Sequence, residues 1–425
     1  MKKLKEFQEE EIIYSYRILF VANLITFLFF SYFCELMEII LHKHKEGSLL
    51  RQHPWLFSGA IHSGTENCKE GEIVTVLTHK GSFLGKGHYQ QGTIAVRILS
   101  FKEDEAINQA FWDTKIREAV ELREKCGLFD SKNSICRLVH GEGDTLPGLI
   151  IDWFNGVAVI QCHSIGMYQN KKEISLALQH YFKDKLLAVY SKSEATLPTH
   201  ISTENEYLYG KVAVPHLAHE YGHAFHINWE TGQKTGFFVD QRENRALLAK
   251  YSKGKKVLNT FCYSGGFSIT ALAAGASLVH SLDSSKKAIE LTEENVALNK
   301  LTKNHSSIVA DAMPFFKELS TDYDVIIIDP PAFAKNRTAR HKAVQGYKRL
   351  NAFAISQIKK GGIIFTFSCS QVIDKQLFTN TIIAAGIESG RSIRILEQLH
   401  QPADHPINAF HPEGEYLKGL VIEVN

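Results

Sequence analysis

Across 425 residues the chain has no G-x-G-x-x-G fingerprint and no C-x-x-C pair. Without the first there is no cradle for a dinucleotide pyrophosphate. Its seven cysteines, at 34, 68, 126, 136, 162, 262 and 369, form no pattern. An odd, scattered set in a long chain reads as reduced thiols, hence a cytoplasmic protein. Nor does one sign of charge dominate: the net charge is +2 and the pI about 8.0. A polyanion would therefore have to be held by local patches. With 44% hydrophobic and 22% charged residues, neither a disordered chain nor a repeat array is indicated. The length exceeds one ordinary core, so two or three domains are expected.

One run lacks charge altogether, ILFVANLITFLFFSYFC from Ile18 to Cys34. It is near the lower limit of about 17–25 residues for a membrane-spanning helix. Lys2, Lys3 and Lys5 precede it as in a signal peptide, but Glu6, Glu9, Glu10 and Glu11 dilute that charge and no A-x-A site follows. An anchor, a cleaved signal and an extension ahead of a start at Met37 are the three readings. The last is favoured, because everything after Met37 reads as a complete soluble protein.

Three blocks follow. From Met37 to Phe101, short β-like runs (EGEIVTVLTHKG, SFLGKGHY, GTIAVRILSF) are separated by glycines at hairpin spacing, which predicts a small β-barrel or sandwich. Phe111, Ile116, Val120 and Leu128 then mark a helix. A second block to Phe225 mixes strands (GLIIDWFNGVAVIQ, KLLAVYSK) with a helix near 171–181. The third alternates strand and helix from Val257 to the end.

The third block carries the chemistry. The run Val257–Cys262 ends in Tyr263-Ser264-Gly265-Gly266-Phe267, followed by the helical SITALAAGA. Strand, glycine turn and helix N-terminus make a nucleotide-binding corner. A second strand, LVHSLD, ends at Asp283, whose carboxylate can accept both hydroxyls of an adenosine ribose. A helix over 284–300 follows, with Ala288, Leu291 and Leu298 facing inward. The strand SIVAD ends at Asp311, a candidate for the adenine amino group; DYDVIIID ends at Asp329 before Pro330 and Pro331; and GGIIFTFSCS carries Cys369. Strands ending in polar residues at one edge of a parallel sheet, with no pyrophosphate fingerprint, suit a cofactor that has adenosine but no phosphate, namely S-adenosylmethionine.

The segments GQKTGFFVDQRENR (232–245), NTFCYSGGFS, DPPAF, QGYKRLN (345–351), FSCS and DHPINAFHPEGEYLKG (404–419) resemble the ribosomal RNA large subunit methyltransferase I family. GSLLRQHPWLFSGAI (47–61) resembles that family's N-terminal PUA domain, and RLVHGEGDTLPGLIIDWF (137–154) its central domain. The resemblance covers Met37 to Asn425. It implies a PUA-like β-barrel over 37–115, a central α+β domain over 116–225 and a Rossmann-like class I methyltransferase domain over 226–425, with 1–36 unmatched. It also implies methylation of cytosine C5 in 23S ribosomal RNA. Cofactor contacts are expected from Lys234, Thr235, Phe261, Tyr263, Ser264, Gly265, Gly266, Asp283, Ser284, Asp311, Ala312 and Asp329. The expected partners are large-subunit ribosomal RNA and, as an open alternative, a second copy of the chain; neither DNA nor a metal is expected.

Methylating an unactivated ring carbon requires a nucleophile that adds to C6 and makes C5 electron-rich. Cys369, beside the cofactor edge, is the candidate thiolate, with a depressed pKa expected. Asp329 is the candidate partner of the cytosine N3 or amino edge. Pro331 stands where related RNA cytosine methyltransferases carry a second cysteine, which implies a single-cysteine route. Cys262 is read as structural. Asp283 and Asp311 have helix capping as their bland alternative. Trp55, Phe57 and Tyr89 are read as core, with base stacking as the alternative.

His219-Glu220-Tyr221-Gly222-His223 matches the zinc-protease signature H-E-x-x-H. That signature needs both histidines on one helix face. Pro215 and Gly222 argue against a helix here, so the match is read as fortuitous. A non-catalytic RNA-binding assembly protein and methylation of another RNA atom, such as guanine N7, remain as alternatives.

Overall fold

The structure, a computed structural model, describes residues 37–130, 132–319, 322–334 and 336–425. The extension 1–36 and its charge-free run lie outside the described residues. Among the described residues no helix is long and apolar enough to cross a membrane. The six described cysteines are free thiols.

The first sheet contains β1 (Met37–Leu41), β2 (Trp55–Phe57), β3 (Ile61–Ser63), β4 (Ile73–Leu77), β5 (Phe83–Tyr89) and β6 (Ile94–Ser100), in the order β2-β6-β5-β4-β1-β3. Alternation sets its core: Val74 and Val76 of β4 are fully buried against Ile39, Leu56 and Val96. The same alternation corrects the reading of the aromatics. In β2 it is Leu56 that points inward, leaving Phe57 42% exposed. Trp55 is half-buried and donates its Nε1–H to Glu142, while Tyr89 packs against the core as expected.

The helix Gln109–Lys125 is capped by the Asn108 side chain and buries Phe111, Trp112, Ile116 and Val120. It stops before Gly127, so Leu128 joins the same core from beyond the helix rather than from its face. A second sheet runs β11-β10-β9-β8-β7, from β7 (Ile135–His140), β8 (Leu149–Phe154), β9 (Val157–Cys162), β10 (Ala188–Ser191) and β11 (Glu206–Gly210). The strand β7 does not stand out in the sequence as the others do. A hairpin of β12 (His216–Glu220) and β13 (His223–Ile227) follows.

The third sheet comprises β14 (Lys256–Thr260), β15 (Leu278–Asp283), β16 (His305–Val309), β17 (Val325–Ile328), β18 (Gly362–Ser368), β19 (Ile393–His400) and β20 (Lys418–Val424). Its order is β16-β15-β14-β17-β18-β20-β19; the first five are parallel and β20 is antiparallel to both neighbours. Both faces are covered, which explains why its central strands read as unbroken apolar runs. Val257 and Ile327 enter one core with Phe267 and Leu248, while Leu258 and Ile328 enter the other with Tyr347 and Phe378. This is a Rossmann-like sheet. The strand order reverses between β14 and β17, and a crevice opens at the carboxyl ends of strands at such a reversal.

A buried ionic network ties the second sheet to the C-terminal segment. Asp404, fully buried, accepts two hydrogen bonds from Arg242 at 2.8 Å and one from the backbone N–H of Arg137 at 2.9 Å. Arg123, also fully buried, donates to Asp144 and to the carbonyl of Asp404.

Candidate active site

The turn after β14 is built from left-handed residues: Phe261, Tyr263 and Gly265 have φ of 57°, 47° and 77°. A Cβ on Gly265 would lie 2.8 Å from Thr292, so only glycine fits there. The helix Lys286–Leu298 braces the turn with polar groups. Thr292 Oγ1 donates to the Tyr263 carbonyl at 2.9 Å, and Asn295 Nδ2 to that of Ser264 at 3.0 Å. This is why the inward face carries Ala288, Ile289, Thr292, Asn295 and Val296 rather than Leu291 and Leu298, which are only half-buried.

Asp283, at the end of β15, accepts the Tyr263 N–H at 3.2 Å with Oδ2 and the Ser285 N–H at 2.9 Å with Oδ1. Each oxygen keeps a lone pair free. Beside it lies a cavity of about 320 Å³, within the size range of small-ligand sites. Lys234, Phe261, Tyr263, Ser264, Gly266, Asp283, Ser284, Asp329 and Cys369 all line it.

Four expected contacts do not. Thr235 is buried, with its hydroxyl donating to Asp152. Gly265 shapes the turn without lining the cavity. Asp311 stands two residues beyond β16, which ends at Val309, and caps the short helix Ala312–Lys317 through the Met313 N–H at 2.9 Å. Ala312 is buried beside it.

Phe238, Asp240, Gln241 and Arg245 also line the cavity, and sequence reasoning missed them. Their signal was the GQKTGFFVDQRENR segment, read for its likeness and not for its geometry. Arg245 is held by Glu220 through two hydrogen bonds of 2.6 Å. Glu220 belongs to the H-E-x-x-H stretch, which is a hairpin: Tyr221 and Gly222, at φ of 49° and 81°, form its two-residue turn. Its glutamate is therefore an ion-pair partner beneath the cavity wall.

The electrostatics of the inner end are unusual. Burial and the charge of Asp240 push Asp329 up to about 7, although Gln241 donates to it at 3.0 Å. Burial alone would raise Asp240 as well, but Lys234 and the Tyr416 hydroxyl at 2.8 Å hold it below the usual carboxylate range. The depressed thiol pKa expected for Cys369 is not found: burial and the charge of Asp329 push it up to about 11. Burial lowers the Lys418 ammonium to about 8, and its Nζ donates to the Ser370 carbonyl at 2.7 Å. Cys262 is buried under the turn and pushed up to about 12, also by burial.

A doubly covered sheet with an adenosine-sized cavity at its strand-order reversal defines a nucleotide-binding α/β enzyme. A family model described as an S-adenosylmethionine-dependent methyltransferase matches residues 136–415, and one described as a PUA-like domain matches 39–101. Ribosomal RNA large subunit methyltransferase I of Escherichia coli (strain SMS-3-5 / SECEC) is 35% identical over 396 residues, covering 91% of this chain and 99% of its own. That of Alteromonas mediterranea is 36% identical over 395 residues, with 91% and 98% covered. The fold is shared with a solved protein described as a methyltransferase complexed with SAH, at TM-score 0.79 and 24% identity, over 91% of this chain and all of that one. The chain belongs to the ribosomal RNA large subunit methyltransferase I family, and its cofactor is S-adenosylmethionine.

Proposed function

We propose that this enzyme methylates C5 of a cytosine in large-subunit (23S) ribosomal RNA through a covalent adduct between Cys369 and C6. The observation that carries the reading is that Cys369 and Asp329 line the same cavity as Asp283 and the glycine turn. Asp283 would hold the ribose hydroxyls with its remaining lone pairs, and Phe261, Tyr263 and Ser284 would flank the nucleoside. S-adenosylmethionine supplies an electrophilic methyl group on a sulfonium.

The protein's part is to make C5 nucleophilic. As Sγ bonds to C6, the thiol loses a proton and N3 gains one while ring electrons shift toward C5. Asp329 can pass that proton to N3 near neutral pH, because its pKa of about 7 lets both its forms exist there. The cationic Lys234 and Lys418 nearby favour the thiolate. After methyl transfer, loss of the C5 proton to a base expels Cys369 as a thiolate, and N3 returns its proton to Asp329, which restores the ring.

The same reading assigns 37–115 to RNA binding, 116–225 to the central domain and 226–425 to catalysis. Mapping 5-methylcytosine in 23S ribosomal RNA from cells with and without the gene tests it. One site that loses its methyl group in the deletion is expected. An unchanged 5-methylcytosine map, or a lost methyl on another atom such as guanine N7, would overturn it.

A further inference from the structure

The loop before β2 meets the C-terminal segment at His53, His411 and Glu413. Nε2 of His53 lies 3.6 Å from Glu413 Oε2, and Nε2 of His411 lies 3.9 Å from the same oxygen. One ligand atom from each of the three residues falls within 4.8 Å of the other two. His411 is only 3% exposed, yet neither of its ring nitrogens makes a hydrogen bond among the described residues. A buried polar group without a partner calls for an explanation, and a bound ion is one that fits the chemistry here.

We propose that His53, His411 and Glu413 form a His₂Glu site for a divalent zinc-class ion, which staples the PUA-like sheet to the C-terminal segment of the methyltransferase domain. Two imidazoles and a carboxylate suit zinc better than magnesium, which prefers an all-oxygen shell. Three protein ligands leave a fourth position open. His411, Glu413 and Trp55 border a cavity of about 930 Å³ that Arg97, Arg337 and Arg340 also line, so the open position has room for water or an anionic oxygen.

His411 offers a ring nitrogen that no hydrogen bond among the described residues competes for. Nδ1 of His53 lies 3.3 Å from the Trp55 carbonyl and 3.1 Å from the Trp55 N–H. The Trp55 N–H makes Nδ1 the acceptor in the free site, so a cation at Nε2 would displace the ring proton to Nδ1, where the Trp55 carbonyl can accept it. Glu142, which accepts the Trp55 Nε1–H at 2.8 Å, adds a second negative charge nearby. Zinc–nitrogen bonds of about 2.0–2.1 Å place tetrahedral ligand atoms roughly 3.3–3.5 Å apart. Glu413 already lies 3.6 and 3.9 Å from the two imidazoles, so the contraction falls mainly between the histidine rings, whose centroids are 5.3 Å apart.

The full chain, stripped with a chelator, incubated with zinc chloride and dialysed, is to be assayed for metal by mass spectrometry. About one zinc per chain should be retained, and zinc should raise the unfolding temperature. Glu413→Gln and His53→Gln should each weaken zinc binding by more than about 100-fold, beyond what outer-sphere partners contribute. The exposed Glu413 makes that variant safe against misfolding, whereas His411→Gln needs a folding control. Cobalt in place of zinc should give a spectrum without a thiolate charge-transfer band. Failure of the wild-type chain to retain zinc, equal retention by both variants, or a thiolate band would each overturn the site.

Discussion

Replacing Asp283 with Ala removes a carboxylate that acts twice. Its two oxygens each hold one backbone N–H, of Tyr263 and Ser285, and each keeps one lone pair for a ribose hydroxyl. Hydrogen bonds to a charged group contribute about 1.5–3 kcal/mol. Cofactor affinity should therefore fall by about 1.5–3 kcal/mol, or roughly 10–150-fold in Kd. Of the two orphaned N–H groups, that of Tyr263 is half-buried and that of Ser285 exposed, so fold stability should fall by no more than about 1–2 kcal/mol. Calorimetric titration with S-adenosylhomocysteine measures the first effect and chemical denaturation the second. Affinity unchanged within twofold in a folded variant would refute the assignment of Asp283 to the ribose. A large stability loss with normal affinity would do the same, since the carboxylate would then serve the turn alone.

Asp404→Ala should destabilise the protein by about 3–5 kcal/mol, because it strands the two buried terminal nitrogens of Arg242 and leaves only the Nε contact to the half-exposed Glu243; a denaturant titration showing under about 1 kcal/mol would contradict the network's role. For pH, the active form needs Asp329 protonated and Cys369 ionised, with pKa values of about 7 and about 11. That form carries one negative charge in total, so kcat/KM should rise about tenfold per pH unit below 7 and then level off above it. Asp329→Asn removes the bend near pH 7, and its residual rate should keep rising through pH 9. A wild-type rate that falls from pH 6 to 8 would contradict the proton assignment.

The third sheet was legible because both of its faces are covered, so VLNT, LVHSLD and VIIID stand out as apolar runs closed by polar residues. Ends were less legible than existence. In sequence Asp311 reads as a strand terminus, whereas the strand stops at Val309 and Asp311 caps a helix, since an aspartate in either place looks the same in sequence. The helix Lys286–Leu298 is legible but its inward face is not, because Thr292 and Asn295 turn inward to brace a loop and hydrophobic spacing does not register that. Phe57 was read as core from its type alone, although alternation in a three-residue strand gives the inside to Leu56. The cavity wall from Phe238 to Arg245 and the raised thiol pKa depend on burial and on charges brought together from distant segments. No local pattern carries that information.

The covalent step is the centre of this account, and one measurement addresses it directly. RNA carrying 5-fluorocytosine should trap the wild-type enzyme, because fluorine at C5 cannot leave as a proton and the bond from Cys369 to C6 persists. A denaturing gel should show the cross-linked species with the wild-type protein and with Cys262→Ala, and should show none with Cys369→Ala. Cys369→Ala should also lose turnover while keeping its cofactor affinity. An adduct that survives Cys369→Ala but disappears in Cys262→Ala, or no adduct with an active wild-type enzyme, would contradict the assignment of Cys369 as the nucleophile.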